Sequence, residues 1–200
     1  MKFMFKYFGF RIVSFLMKIY NQFIRLIFPN VMAIIFGRLK FASDVSPNQR
    51  IICEGYGIVR IGKNCSFGYR KGGFWRGGSI ELQARNSNSR IIIGDNVATN
   101  NNVFVCAAKS ITIGDNTLIG QNVTISDHEA HGINPEERGK VGKIGRVIIG
   151  ENVWIGSNVT ILKNSEIGKN SVVATGAVVS GTFPDNVIIG GIPAKIIRNL

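Results

Sequence analysis

Aliphatic side chains recur at every sixth position along much of the chain, in a short run before residue 126 and a longer, unbroken run from residue 149. Glycine often follows these residues, and a small or β-branched residue usually stands four places after them. A period of six predicts one short strand and one turn per repeat, with one aliphatic side chain pointing inward each time. The positions are Ile113, Ile119, Ile125, Ile149, Ile155, Ile161, Ile167, Val173 and Val179.

Three such strands make one turn of a triangular coil, and stacked turns bury a continuous column of aliphatic side chains. A sandwich or barrel would instead alternate apolar and polar residues with a period of two. The Gly, GDN or GEN after each strand marks a corner with unusual backbone angles or with little room for a side chain. We therefore predict an all-β domain over residues 46–200, a parallel β-helix of six to eight turns with a short C-terminal tail.

The repeat stops between Ile125 and Ile149, and we expect residues 126–146 to project as a loop. This segment holds both histidines of the chain, His128 and His131. Loops on a rigid scaffold commonly carry function, and imidazole is the side chain that titrates near neutral pH. The two histidines are therefore candidate proton acceptors, and the alternative is that both are solvent-exposed loop residues.

Residues 1–40 carry seven of the Lys and Arg residues and no Asp or Glu, in a protein of net charge +12. Their polar positions fall on one helical face, which predicts an amphipathic helix ending near Pro29 within an N-terminal region of residues 1–45. No uncharged run approaches the ~20 residues of a membrane-spanning helix. The basic and apolar mixture suits an anionic membrane surface better than nucleic acid. Packing on the domain itself or on a partner subunit is the alternative.

Cys53, Cys65 and Cys106 are odd in number and form no CxxC pair, so a disulfide framework is not indicated. We expect them to be small buried side chains in a protein of a reducing compartment.

Three segments, "ENVWIGSNVTI", "VVATGAVVSG" and "NVIIGGIPAKIIRNL", together with the repeat resemble the hexapeptide-repeat acyltransferases over about residues 50–200. The resemblance is to the branch of galactoside and maltose acetyltransferases and of surface-polysaccharide O-acetyltransferases. It implies a left-handed coil, acetyl-CoA as co-substrate, no metal, and a homotrimer with active sites between neighbouring subunits. Within the same fold, the γ-class carbonic anhydrases need three histidine ligands, whereas this chain has two.

The resemblance also assigns site residues. His128 is the expected catalytic base and His131 the alternative, because the family's position falls between them; Asp127 or Glu129 would orient the ring. Asn100 and Asp127 are expected on the substrate side, with Asn101 or Asn102 as substitutes for Asn100 or a coil corner as its plain role. The expected coenzyme-binding residues are Trp154, Gly156, Ser157, Thr175, Ser180, Lys195 and Arg198.

Two features leave alternatives open. Trp154 is equally consistent with a buried core aromatic residue. The aromatic residues of segment 66–78 would either stack on sugar rings or pack beneath the N-terminal helix. One departure stands out: relatives often have a Thr-Lys pair where this chain has Ser180-Gly181, so the lysine expected to contact the coenzyme phosphates is missing there.

The expected function is acetyl-CoA-dependent O-acetylation of a sugar hydroxyl in bacterial capsule, exopolysaccharide or O-antigen synthesis. The acceptor is a sugar or polysaccharide that is lipid-linked, nucleotide-linked or polymeric. The expected location is cytoplasmic, at the inner face of the cytoplasmic membrane. The alternatives are an N-acetyltransferase of a nucleotide-linked amino sugar and a non-catalytic, membrane-associated solenoid scaffold.

Overall fold

Residues 13–200 are described by a computed structural model, in which the chain winds into a three-sided coil. Each turn contributes one strand to each of three sheets, which we call A, B and C, and the pairings are parallel except for the last one in sheet B. Six complete turns and a partial seventh are formed within residues 39–200. We name the three edges of the coil by the sheets that they join.

The strands are as follows. Sheet A contains β1 Leu39–Phe41, β4 Ile58–Ile61, β7 Arg90–Ile93, β10 Ser110–Ile113, β13 Arg146–Ile149, β16 Ser165–Ile167 and β19 Thr182–Phe183. Sheet B contains β2 Ser46–Pro47, β5 Ser66–Phe67, β8 Ala98–Thr99, β11 Leu118–Ile119, β14 Trp154–Ile155, β17 Val172–Val173, β20 Val187–Gly191 and β21 Ala194–Asn199. Sheet C contains β3 Arg50–Gly55, β6 Ser79–Ala84, β9 Val103–Ala107, β12 Thr124–Ser126, β15 Thr160–Ile161 and β18 Val178–Val179.

The aliphatic side chains of the six-residue repeat form the core, as predicted. Ile149 pairs with Ile113 on one side and Ile167 on the other, and sheets B and C repeat this register. All nine of the predicted inward positions are buried. Apolar burial at ~25 cal/mol per Å² makes this column the main stabilising contribution of the domain. The predicted left-handed parallel β-helix is thus the fold of the chain.

Asparagine and glycine have different roles at the corners. Asparagine takes the left-handed backbone conformation, with φ of 54° at Asn152 and 58° at Asn170, and the amide of Asn152 donates to that of Asn170 over 3.0 Å. The repeat glycines have ordinary φ values, but a Cβ on Gly114 would lie 2.6 Å from the backbone of Gly150 in the next turn. Both explanations suggested by the sequence therefore apply, to different residues: glycine is needed where neighbouring turns leave no room for a Cβ, and asparagine where the backbone is left-handed.

A helical segment covers the open end of the first turn. Residues 13–22 are helical (α1), a π-helical turn spans Phe23–Ile27, a 3₁₀ turn spans Phe28–Asn30, and α2 spans Val31–Ile35. Leu26 is fully buried against the core. The Asn30 amide donates to the Ile51 carbonyl over 2.9 Å, and its oxygen accepts from the Cys53 N–H over 2.6 Å. These bonds occupy polar groups of β3, which would otherwise be an open sheet edge.

Polar and apolar side chains of α1 both lie next to the coil. Ser14, Lys18 and Asn21 line a groove together with residues of the first two turns, whereas Phe15 and Ile19 are exposed. Val13 and Met17 line the same groove, so the side of α1 next to the coil is mixed, while the apolar residues Phe15 and Ile19 face outward. Its first part, residues 1–12, lies outside the described residues. No helix in residues 13–200 is long and apolar enough to cross a bilayer.

Two loops leave the coil. Residues 127–145, between β12 and β13, form the histidine loop at the C–A edge, close to the predicted bounds of 126–146. Residues 68–78, between β5 and β6, form what we call the aromatic loop at the B–C edge. The coil itself begins at Leu39 rather than at the predicted domain boundary of residue 46, because β1 already pairs with β4.

Asn30 provides a test of the helical cap. Replacing it in Asn30→Ala should lower the free energy of unfolding by about 2–4 kcal/mol, because a buried N–H and a buried C=O of β3 lose their partners. Urea denaturation followed by circular dichroism measures the change. Asn88→Ala, at an exposed turn residue without a side-chain hydrogen bond in the described structure, is the control and should change stability by less than ~0.5 kcal/mol. Equal stability of the two variants would contradict the capping role.

Candidate active site

The histidine loop is a folded hairpin whose base is fixed by backbone hydrogen bonds. Gly145 N–H donates to Asp127 over 2.7 Å, Glu129 N–H to Lys143 over 3.0 Å, and Gly132 N–H to Lys140 over 2.9 Å. A 3₁₀ turn at Pro135–Glu137 forms its tip. The loop therefore holds its side chains in defined positions at the C–A edge.

Asp127 anchors the loop to the coil. Its carboxylate is fully buried and accepts N–H groups of Ala108 at 2.7 Å, Lys109 at 2.8 Å and Ser110 at 2.6 Å from the turn before. It also accepts Nδ1–H of His128 over 3.0 Å. These four bonds occupy the carboxylate, so in this arrangement it faces the protein interior and not a sugar.

His128 is held on both ring nitrogens. Only 2% of its side chain is exposed. Nδ1 donates to Asp127, which leaves Nε2 as the acceptor for a guanidinium N–H of Arg85 over 3.2 Å. Because guanidinium groups only donate, the Nε2 lone pair of His128 is already occupied.

His131 has the opposite surroundings. The residue is exposed, and its Nδ1 lies 2.7 Å from the Arg138 carbonyl. A carbonyl oxygen only accepts, so Nδ1 carries the proton and the neutral ring keeps its lone pair on Nε2. No hydrogen bond within residues 13–200 uses that nitrogen. The hairpin thus presents a ring of fixed tautomer with a free basic nitrogen.

Glu129 attaches the loop to the next turn of the coil. Its carboxylate pairs with Lys163 over 2.9 Å and accepts the Lys143 N–H over 2.9 Å. The Lys163 ammonium, followed by the Lys143 N–H, holds the pKa of Glu129 below its usual range. Glu129 therefore orients the loop as a whole and does not contact either imidazole.

The three adjacent asparagines at the B–C edge are clearly distinguished. Asn102 is the left-handed corner residue, with φ of 59°. Asn101 is fully buried and its amide bonds to backbone groups of Tyr69 and Gly73. Asn100 is half-buried, and its side-chain oxygen accepts the Asn101 N–H over 2.8 Å. Of the three, Asn100 keeps an amide nitrogen without a partner among the described residues.

Several predicted coenzyme-binding residues lie together at the same B–C edge. Trp154 is 58% exposed on the outer face of sheet B, so it is not a core residue. Gly156 N–H donates to Val173 within the sheet, whereas no hydrogen bond described for residues 13–200 uses Ser157 N–H. A Cβ on Gly156 would lie 2.7 Å from Thr175 N, which shows how closely the successive corners stack.

The remaining predicted residues lie elsewhere. Ser180 follows β18 and is exposed at the C–A edge, on the same side as the histidine loop. Lys195 and Arg198 are exposed on β21, the last strand of sheet B. One chain therefore places most of the predicted residues at two edges on either side of sheet C, and Lys195 and Arg198 on the last strand of sheet B.

The sequence analysis missed Arg85 and Lys163, which contact His128 and Glu129. A signal for Arg85 was present, because it directly follows β6 as Asp127 directly follows β12, so both start the C–A corner. The cysteines take no part: burial raises the pKa of the Cys53 thiol to about 12. In residues 13–200 no three His, Cys, Asp or Glu side chains are grouped to hold a metal ion.

Comparison with known proteins relates this geometry to a family. The model described as bacterial transferase hexapeptide (six repeats) matches residues 146–181, and the hexapeptide repeat of succinyl-transferase matches residues 110–134. Galactoside O-acetyltransferase of Escherichia coli K12 is 41% identical over 114 residues, which are 56% of this chain and 55% of that protein. The chain spans less than two thirds of the length of the curated relatives that it matches first.

Solved structures share the coil. The polySia-specific acetyltransferase NeuO superposes with a TM-score of 0.62 at 26% identity, covering 80% of this chain and 66% of that one. Galactoside acetyltransferase in complex with coenzyme A gives a TM-score of 0.54 at 28% identity, covering 80% and 64%. The family models, the three-sided coil and these neighbours together identify the chain as a hexapeptide-repeat protein with the left-handed parallel β-helix fold of these acetyltransferases.

Proposed function

We propose that the protein transfers an acetyl group from acetyl-CoA to a sugar hydroxyl. The observation that carries this proposal is His131, a ring of fixed tautomer whose free Nε2 is presented by a rigid hairpin. The names of the relatives support the reaction type, since they include acetyltransferases of galactosides and of polysialic acid and one structure with bound coenzyme A. An exposed base that needs no metal suits attack of a hydroxyl on a thioester.

The geometry favours His131 over His128 as the base. A general base needs a lone pair that can reach the acceptor proton, and that of His128, on a side chain only 2% exposed, already accepts from Arg85. Asp127 and His128 instead form a buried pair that fixes the start of the hairpin. We therefore propose His131 as the catalytic residue and His128, the residue preferred from sequence, as a positioning residue.

The reaction follows from these roles. Nε2 of His131 accepts the hydroxyl proton as the acceptor oxygen bonds to the thioester carbonyl carbon. The carbonyl oxygen then bears a negative charge, and Ser157 N–H is the corner donor left free to hold it, since Gly156 N–H is used within the sheet. The C–S bond breaks, the imidazolium returns its proton to the coenzyme thiolate, and the acetyl ester is released.

A complete site requires two chains under this proposal. His131 lies at the C–A edge, whereas Ser157 and Asn100 lie at the B–C edge, and the strands of sheet C separate these edges within one chain. The C–A edge of one subunit placed beside the B–C edge of the next would bring them together. Repeating this heterologous contact around a threefold axis closes a homotrimer.

We place the protein at the cytoplasmic face of the membrane, acting in surface-polysaccharide synthesis. Exposed apolar residues continue from α1 through α2, and the first 40 residues contain no acidic side chain. An apolar surface with uncompensated positive charge is complementary to an anionic bilayer surface. The protein would then meet its acceptor at the membrane where the polysaccharide is assembled.

The base assignment is tested with single variants. His131→Ala should lower kcat by ~10²-fold or more with little change in the KM for acetyl-CoA, because the base acts in the transition state. Asn134→Ala, in the same hairpin, is the control and should retain activity. His128→Ala should act mainly by loosening the hairpin, seen as faster amide exchange there. The assignment would be reversed if His131→Ala stayed active while His128→Ala lost turnover and its hairpin amides remained protected from exchange.

The two-chain site is tested by mixing inactive variants. His131→Ala removes the base, and Ser157→Trp fills the B–C edge. Randomly mixed trimers of the two should regain about one quarter of the wild-type activity, since some sites combine two intact edges. Mixing His131→Ala with the double variant His131→Ala/Ser157→Trp offers no intact pair and should stay inactive. Absence of recovery in verified mixed trimers would place the whole site in one chain.

The membrane contact is tested with substitutions in α1 and the π-helical turn. The triple variant Phe15→Ser/Ile19→Ser/Phe23→Ser should bind phosphatidylglycerol vesicles at least ~10-fold more weakly, because three exposed apolar side chains are lost. Acetyl transfer to a soluble galactoside should remain. Substitution is preferred to deletion of residues 1–40, since Leu26 and Asn30 cap the coil.

The control for this test is Ile192→Ser/Leu200→Ser, which removes exposed apolar side chains at the other end of the coil. It should bind vesicles like the wild type. Unchanged binding of the triple variant, or its dissociation from a trimer into monomers in light scattering, would assign the apolar surface to a subunit contact.

A further inference from the structure

A cleft of about 610 Å³ lies between the N-terminal helical segment, β3 and the aromatic loop. It is separate from the histidine loop, and none of the activity proposed above uses it. Three arginines and one tryptophan dominate its lining: Arg25, Arg50, Arg76 and Trp75. We call it the arginine cleft.

The Glu81 carboxylate accepts the hydroxyl of the lining residue Ser79 over 2.9 Å at the border of the cleft, yet the cleft has a net positive charge. No acidic residue lines it, and no salt bridge within residues 13–200 involves its arginines. Partial burial of its guanidinium is the main cause that lowers the pKa of Arg25, and the nearby positive charge of Arg70 is the second. Gathering guanidinium groups costs electrostatic free energy, which an anion bound between them would offset.

The cleft is built from fixed parts. Trp75 Nε1–H donates to the Asn48 carbonyl over 2.9 Å. The Gln49 side chain donates to the Phe74 carbonyl and accepts the Asn102 N–H, each over 2.8 Å. The guanidinium groups of Arg25 and Arg76 lie 5.4 and 6.0 Å from the Trp75 ring centre. Cation–π contacts of this kind hold arginine side chains in position while leaving their N–H groups available.

The position of the cleft connects two surfaces. On one side, Phe23 and Ile24 next to Arg25 are exposed and belong to the proposed membrane contact. On the other side, the aromatic loop reaches the proposed acceptor site: Asn101 donates to the Gly73 carbonyl over 2.8 Å, and Asn100 packs against Gly72. A molecule extending from the bilayer to Asn100 would pass the arginines.

We propose that the arginine cleft binds the phosphate or diphosphate group of an acceptor sugar that is linked to a membrane lipid. This inference rests on the proposed sugar acetyl transfer and specifies the class of its acceptor. Guanidinium groups match phosphate oxygens with paired, charge-assisted hydrogen bonds. The lipid would lie against the apolar helical surface, and the sugar would extend along the aromatic loop toward Asn100.

The test measures binding of the full-length protein to three kinds of phosphatidylcholine vesicle. The first contains a long-chain alkyl diphosphate, the second contains the corresponding alcohol, and the third contains phosphatidylglycerol at the same surface charge as the first. The wild type should bind the diphosphate vesicles roughly 10-fold more tightly than those of matched charge. Arg50→Gln/Arg76→Gln should lose this preference. Arg60→Gln/Arg90→Gln removes the same charge from exposed positions of sheet A and should retain it.

Retained preference in the cleft variant, or equal loss in the control, would overturn the site. Inorganic pyrophosphate distinguishes the sources: if it binds the wild type as tightly as the diphosphate vesicles do, the ligand is a soluble phosphate compound and the lipid-linked acceptor is wrong. Transfer to a soluble galactoside is assayed in the same preparations. If the wild type shows no transfer, the proposed function fails; if transfer persists without a diphosphate preference, only this inference fails.

Discussion

Inward packing of one aliphatic side chain per strand keeps every turn of the coil in register with the next. Each turn contributes three such side chains, and a shift by one residue would turn an inward side chain outward. The corners are fixed by the same constraint, since glycine is needed where backbones approach and asparagine where the chain turns left-handed. Loops can therefore leave the coil only at the corners, and both long loops do so. The location of every candidate site residue follows from this register.

The buried carboxylate of Asp127 holds the start of the histidine loop in one conformation. Asp127 directly follows β12, and its carboxylate accepts three N–H groups of the preceding turn. A buried carboxylate is costly unless its oxygens are bonded, so this pairing excludes most other conformations at the start of the loop. His128 completes the bonding of that carboxylate. The same arrangement that makes His128 a good structural residue leaves His131 as the ring with a free nitrogen.

The N-terminal segment has two unlike surfaces, one that packs on the coil and one that is exposed. Leu26 and Asn30 satisfy the open end of the coil, one by apolar burial and the other by hydrogen bonds to β3. Residues of α1 line a groove over the first turns, and many of its apolar side chains, including Phe15 and Ile19, remain exposed. The exposed apolar side chains and the arginines beside them are the observations on which the proposed membrane contact rests.

The sequence by itself determined the fold and the place of the excursion. Its six-residue period specifies each inward position, and residues that interrupt the period must form a loop. The histidine loop therefore lies between Ile125 and Ile149, as predicted. What only the tertiary structure decided was the environment of side chains that meet across turns. His128 and His131 are three residues apart in one loop, yet one faces Arg85 from two turns away and the other faces solvent. Trp154 was equally compatible with a core and a surface position until sheet B placed it outside, and Asn100 was distinguished from its neighbours only by their bonds. Contacts of this kind depend on which corners stack, and a local pattern does not contain that information.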